Sequence, residues 1–189
     1  MTKSPAEVAL MAESGRLLAS VFTHLDGLPL AGMSTLEIND RVEAFIVDQL
    51  NARPASKGQY GYGFVLNSSR NAVVCHGVPS ADEVLGDGDI VNLDITLEKN
   101  GFIADSSKTY LIGTVSAPAR RLVRTTYEAL WKGVSAVRPA PASATSATPS
   151  SGMPGGRAIR WCGSTAATAS VARCTRRPRC CISENPEPA

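Results

Sequence analysis

Two aspartates, Asp94 and Asp105, lie on either side of Asn100-Gly101 in a stretch that alternates apolar and polar residues. Asn-Gly between alternating runs is a strong signal for a β-hairpin with a two-residue turn. Such a turn places Asp105 opposite Thr96. Asp94, opposite Ser107, then lies on the same face as Asp105, because side chains alternate along a strand with period two. The Cα atoms of these diagonal neighbours are expected to lie roughly 7–8 Å apart.

Paired carboxylates of this kind have two interpretations, and the first is a metal site. Two like charges on one face of a sheet repel each other, and a cation between them reverses the sign of that interaction. Carboxylates are hard oxygen ligands that suit Mn²⁺ or Mg²⁺ and can bridge two ions. The alternative is a pair of solvated surface carboxylates that never meet, since surface aspartate is common. A three-residue loop at the turn would also separate the two groups.

His76, in the stretch AVVCHGVP, is the second candidate for a functional role. The pattern predicts that it ends an apolar strand, just before Gly77 and Pro79, where a sheet can present a catalytic group. The alternative is a partly buried histidine with a structural role. Cys75 is predicted to be a small core residue rather than a nucleophile.

The remaining elements follow from local signals. Ser4-Pro5-Ala6-Glu7 and Ser34-Thr35-Leu36-Glu37 are capping boxes, and each is followed by an apolar stripe that predicts a helix. FVLN and AVVCHGVP are predicted as strands around a turn at residues 68–71. A third helix is predicted over residues 118–137. This order predicts an α+β fold with an antiparallel sheet.

Composition changes near residue 139. Residues 1–138 mix both signs of charge with regular apolar spacing and predict one folded domain. Residues 139–189 contain six arginines and two glutamates but no lysine or histidine, and are predicted to be disordered. The cluster Arg176-Arg177-Pro178-Arg179 lacks interleaved aromatic residues, so no specific nucleic-acid partner is predicted. No signal peptide or membrane span is predicted either, which favours a cytoplasmic protein without a membrane partner.

The motifs NAVVCHGVP and LGDGDIVNLDITLEKNGFIADSSKTYLIG, at this separation, closely resemble the type I methionine aminopeptidases. The resemblance covers residues 1–138. It implies the N-terminal half of a pita-bread fold of the creatinase/aminopeptidase kind, with a curved antiparallel sheet around a two-metal centre. Asp94 matches a ligand of one metal, Asp105 matches the ligand that bridges both, and His76 matches the histidine that contacts substrate near the scissile bond.

The activity that the resemblance implies is removal of the N-terminal methionine from nascent peptides, by way of metal-activated water. Its cofactors are two divalent ions, for which Co, Mn, Fe and Zn are all candidates. The ribosome is a further candidate partner. Residues 60–67 match the stretch that contributes to the methionine pocket, although less cleanly.

The resemblance also implies a histidine and two glutamates after Val137, yet residues 139–189 contain no histidine. Re-read in a shifted frame, Arg160 to Val171 becomes SVVREYCGHGIG and Ala172 to Ser183 becomes EMHEAPKVLHF. The hypothesis is that one lost base after Arg138 produces an off-frame, truncated product. This chain is then expected to be catalytically inactive. The alternative is a non-catalytic pita-bread-like fragment or binding module.

Overall fold

The computed structural model describes residues 3–137 of the 189-residue chain. The segment 139–189, which the sequence predicts to be off-frame and disordered, lies outside the described residues.

Helix α1, Pro5–Asp26, begins at the first predicted capping box. The backbone N–H of Ser4 donates to Glu7 Oε2 at 2.7 Å, and the N–H of Glu7 donates to Ser4 Oγ at 3.3 Å. These two bonds satisfy donors that the first turn of a helix leaves unpaired. The helix ends where Gly27 donates to the His24 carbonyl. Its buried residues recur at helical spacing and are Ser14, Leu18, Val21 and Leu25.

Helix α2, Thr35–Ala44, begins at the second predicted capping box, and the helix continues as a π-helical turn at Phe45–Gln49. Its buried residues Ile38, Val42 and Ile46 are wholly inaccessible to solvent. Both helix starts predicted from the capping boxes are therefore confirmed.

Within residues 3–137 the sheet has four antiparallel strands: β1 (Arg53–Pro54), β2 (Leu66–Arg70), β3 (Ile90–Lys99) and β4 (Phe102–Leu111). Strand β3 is central. It pairs with β4 along one edge and with β2 and the short β1 along the other. The predicted α+β class with an antiparallel sheet is confirmed.

The strand predicted at AVVCHGVP is wrong. Strand β2 runs through to Arg70 and so includes most of the residues predicted as a turn. The chain turns at Asn71, which has a φ of 51°, and the N–H of Val73 donates to the Arg70 carbonyl at 3.0 Å. Val73 and Val74 are 43% and 41% exposed, so this apolar run has no buried face to hold it as a strand.

One face of the sheet is buried under the helices. Alternate residues of β3 are wholly buried and share a core with α1 and α2: Val91, Leu93, Ile95 and Leu97. Ser14 of α1 donates to the Phe102 carbonyl at 2.9 Å, which ties that helix to the end of the hairpin. The opposite face of β3, which carries Asn92, Asp94, Thr96 and Glu98, is only half-buried among the described residues. That face is available for functional side chains.

Helix α3, Ala117–Ala136, belongs to a second unit and confirms the third predicted helix. None of the helices within residues 3–137 combines the length and hydropathy needed to cross a bilayer.

Candidate metal centre

The hairpin between β3 and β4 has the predicted two-residue turn. Asn100 and Gly101 have φ values of 54° and 80°, and Lys99 pairs with Phe102. Positive φ at both central residues matches the right-handed twist of the flanking strands, and Asn-Gly adopts it at low cost. The turn therefore sets the register of both ten-residue strands.

That register brings the two aspartates together. Asp105 pairs with Thr96, and Asp94 pairs with Ser107. Asp94 and Thr96 point to the same face of β3, so Asp94 and Asp105 are diagonal neighbours on one face. The pairing predicted from the sequence is confirmed.

The two carboxyl groups interact. Burial raises the pKa of Asp94, and the neighbouring charge of Asp105 raises it further. A hydrogen bond from Asn67 and the charge of His76 oppose that rise without cancelling it. Asp94 is half-buried and Asp105 is exposed. Asp94 therefore interacts with Asp105 on this face of the sheet and is not an isolated surface charge.

His76 lies within electrostatic reach of Asp94, as its effect on the pKa of Asp94 shows. It does not end a strand, because it lies in the irregular segment that follows β2, where it has a φ of 54°. The alternative of a partly buried histidine is also wrong, since His76 is exposed. Cys75 is exposed as well, so its predicted place in the core is wrong.

Gly77 holds this segment against β2. The N–H of Ser68 donates to the Gly77 carbonyl at 2.8 Å, and the N–H of Gly77 donates to Ser69 Oγ at 3.2 Å. A Cβ atom at Gly77 would lie 1.9 Å from the Ser68 carbonyl oxygen, far inside van der Waals contact. Only glycine allows so close an approach. The approach places the neighbouring residue His76 beside β2, the strand that pairs with β3 at Asp94.

Two further residues near Asp94 could not be assigned from the sequence. Asn67 of β2 lies directly opposite Asp94 of β3. The Tyr62 hydroxyl donates to the Leu66 carbonyl at 2.8 Å, and burial, with a smaller contribution from Asp94, raises the pKa of Tyr62. The resemblance pointed only to residues 60–67 as a group. No local sequence pattern predicts the register of β2 against β3, because a long connection separates the two strands.

The donor chemistry at this face fits a divalent cation. Ionised aspartates supply hard oxygen ligands, and the repulsion between Asp94 and Asp105 is relieved when a cation binds between them. A hard-ion site needs more than two protein and water ligands. Within residues 3–137 no group of three or more histidine, cysteine, aspartate or glutamate side chains could hold a metal. The described residues thus supply part of a donor set.

An antiparallel sheet backed by helices, with two interacting carboxylates on its other face, supplies the oxygen donors that divalent metals prefer. The particular family follows from sequence comparison, in which the model of Metallopeptidase family M24 matches residues 9–147. The chain belongs to that family, whose peptidases use a divalent metal cofactor.

Several relatives of this chain are methionine aminopeptidases. Methionine aminopeptidase B of Synechocystis is 37% identical over 141 residues, which are 72% of this chain and 51% of the relative. The crystal structure of methionine aminopeptidase from Rickettsia prowazekii matches with a TM-score of 0.68 and 33% identity, over 71% of this chain and 53% of that chain. The structure from Thermotoga maritima matches with a TM-score of 0.70 and 29% identity, over 74% and 55%.

This chain therefore spans about half the length of the relatives that it matches. The likeness confirms the expected N-terminal half of a pita-bread fold and the resemblance of this segment to methionine aminopeptidases.

Proposed function

We propose that this chain carries part of the metal centre of a methionine aminopeptidase, which removes the N-terminal methionine from nascent proteins. The observation that carries the proposal is the interaction of Asp94 with Asp105 on one uncovered face of the sheet. Methionine aminopeptidases among the relatives support the choice of substrate.

The proposed roles come from the resemblance to methionine aminopeptidases, and the positions of the side chains are compatible with them. Asp94 would hold one divalent ion, and the more exposed Asp105 would be shared between two, with Co, Mn, Fe and Zn as candidate metals. Such ions supply hydroxide near neutral pH and polarise a peptide carbonyl when bound. His76 is exposed beside Asp94, where it can contact the backbone of a bound peptide.

We expect weak metal binding without turnover from the 189-residue chain, because each hard-ion site needs several ligands. Residues 3–137 offer two interacting carboxylates, and residues 139–189 contain no histidine and only two glutamates. We propose that residues 1–138 are half of the catalytic domain and that residues 139–189 are read in a shifted frame. Resequencing the gene around the codon for Pro139 tests this directly. If no single-base change there opens a frame encoding GHGIG, the shifted-frame proposal is wrong.

Hydrolysis of a methionine-initiated tripeptide tests the activity. The assay compares the 189-residue chain with a variant whose frame is restored after Arg138, each with Mn²⁺ or Co²⁺ and with EDTA. The restored variant should release methionine only with metal and lose that activity on Asp94→Ala. The 189-residue chain should release none. Metal-dependent turnover by the 189-residue chain would overturn the proposed inactivity, and an inactive restored variant would overturn the proposed function.

A non-catalytic binding module is the second candidate function. The observation that favours it is the exposed apolar segment beside the carboxylates, where Val73, Val74 and Val78 are each more than 40% exposed. The test is binding of a peptide or of ribosomes in EDTA by the double variant Asp94→Ala, Asp105→Ala. Binding equal to that of the wild type would favour this function over the metal-dependent one. Under either proposal we place the protein in the cytoplasm.

A further inference from the structure

A cross-strand pair fixes the surroundings of Asp94. Asn67 and Asp94 are directly opposite each other in the β2–β3 ladder. Side chains at directly opposed positions have Cβ atoms about 4.5–5.5 Å apart and project from the same face, within reach of a hydrogen bond between short polar groups. An ionised carboxylate only accepts hydrogen bonds, so the hydrogen bond in this pair, which lowers the pKa of Asp94, is donated by the Asn67 amide Nδ2.

Asn67 sits on a rigid part of the fold. Its neighbours Leu66 and Ser68 are 0% and 1% exposed, so β2 is anchored on both sides of it. The Tyr62 hydroxyl holds the Leu66 carbonyl, and the Gly77 carbonyl holds the N–H of Ser68. The backbone on both sides of Asn67 is therefore held in place, and the Asn67 side chain projects from the same face as that of Asp94.

We propose that Asn67 is a positioning residue that holds the Asp94 carboxylate in the orientation needed for metal binding. This inference rests on the proposed function, because the orientation of Asp94 affects metal binding only if Asp94 is a metal ligand. Polar groups that orient ligands typically contribute a factor of about 10–100 to metal affinity. Asn67 acts through Asp94 and need not touch metal or substrate.

Mn²⁺ binding to the full 189-residue chain, followed by electron paramagnetic resonance, tests the role. Asn67→Ala should weaken binding by roughly 10–100-fold. Asn67→Val removes the hydrogen-bond donor but favours strand, so it should show the same loss with β2 intact. The matched control is Asn92→Ala on the same face of β3, whose amide donates to Ser107 and Thr109 and which should bind as the wild type does.

An amide spectrum reads the contact without metal. In ¹H–¹⁵N spectra of the metal-free chain, the side-chain amide of Asn67 should shift on Asp94→Ala and stay in place on Asp82→Ala. An unmoved Asn67 amide, or equal losses of Mn²⁺ affinity in Asn67→Ala and Asn92→Ala, would overturn the inference. Loss of Mn²⁺ binding in Asp94→Ala but not in Asn67→Ala would overturn it while leaving the proposed function standing. Wild-type affinity in Asp94→Ala would remove the metal role from both proposals.

Discussion

Asp94 and Asp105 lie on the same face of one hairpin, each opposite a hydroxyl-bearing residue of the facing strand. The arrangement depends on the turn, because a two-residue loop gives the two carboxylates the same parity. It is unfavourable without a cation, since burial and the mutual charge both raise the pKa of Asp94. The fold therefore maintains a local repulsion that metal binding would relieve.

Changing the length of the turn should control metal affinity. One glycine inserted after Gly101 reverses the parity of β4 relative to β3 and turns Asp105 away from Asp94. A Gly-Ser insertion at the same place restores the parity and serves as the matched control. We expect at least about a tenfold loss of Mn²⁺ affinity for the single insertion, as for disruption of ligand orientation, and a smaller loss for the double one. Equal affinities in the two variants would contradict the hairpin geometry.

Removing one charge should stabilise the metal-free chain. Asp94→Asn abolishes a like-charge contact across the hairpin, which is expected to raise the free energy of unfolding by up to ~1 kcal/mol. Urea unfolding at pH 7 in EDTA measures the change, with the exposed Asp82→Asn as control. In an excess of metal the wild type should become the more stable of the two proteins, because only the wild type gains free energy from metal binding. Destabilisation of Asp94→Asn in EDTA would show that the pair does not repel.

The close approach at Gly77 should not tolerate a side chain. Gly77→Ala places a Cβ atom 1.9 Å from the Ser68 carbonyl oxygen, so the segment must move away from β2. We expect a loss of about 1–3 kcal/mol, as for other overpacked sites, together with displacement of His76. Gly63→Ala is the control, since a Cβ atom there meets nothing within 4 Å. Equal stability of the two variants in chemical denaturation would contradict the tight contact.

Asp89 should link stability to pH. Burial alone would raise the pKa of Asp89, but hydrogen bonds from the Gly86 N–H and Asn71, and the hydrogen bond and charge of Arg70, hold it below the ordinary value of 3.8. A folded-state pKa below the unfolded one adds stability that is full above the unfolded value. That stability is lost as pH falls through the folded pKa.

Asp89→Asn should therefore lower the free energy of unfolding at pH 7 by about 1.5–3 kcal/mol, the usual range for hydrogen bonds to a charged group. The difference from wild type should shrink as the pH falls from 3.8 through the lower pKa of the folded state, below which the wild-type carboxyl is neutral as well. Urea unfolding between pH 2 and pH 7, in steps of about one unit, measures both the loss of stability at pH 7 and its decrease at low pH. A shift of one pKa unit corresponds to about 1.4 kcal/mol, which such measurements can detect. A difference that stays constant with pH would contradict the role given to the Asp89 charge.

Local signals predicted the helices and the hairpin correctly. The capping boxes at Ser4 and Ser34, and the Asn100-Gly101 turn, each act within a few residues, so their outcome does not depend on the rest of the fold. The same locality made the parity of Asp94 and Asp105 predictable. The apolar segment after β2 was misread because β-branched residues favour strands only where a partner and a buried face exist.

The surroundings of Asp94 could not be predicted in the same way. Asn67 and His76 are separated from Asp94 in the sequence by most or all of the connection between β2 and β3. The register of these two strands depends on long-range packing. The turn at Asn71 and the approach of Gly77 decide where His76 lies, and neither has an unambiguous pattern in the sequence. The resemblance to a family supplied the candidates, and the structure supplied their contacts.

A double-mutant cycle measured by calorimetric titration of Mn²⁺ tests the central claim most directly. The wild type, Asp94→Ala, Asp105→Ala and the double variant are compared as full 189-residue chains, with folding checked by circular dichroism. Each single variant should lose most of the affinity and the double variant little more, which gives a coupling of roughly 0.5–3 kcal/mol between the carboxylates. Wild-type affinity in the double variant would contradict a shared metal site at these two aspartates.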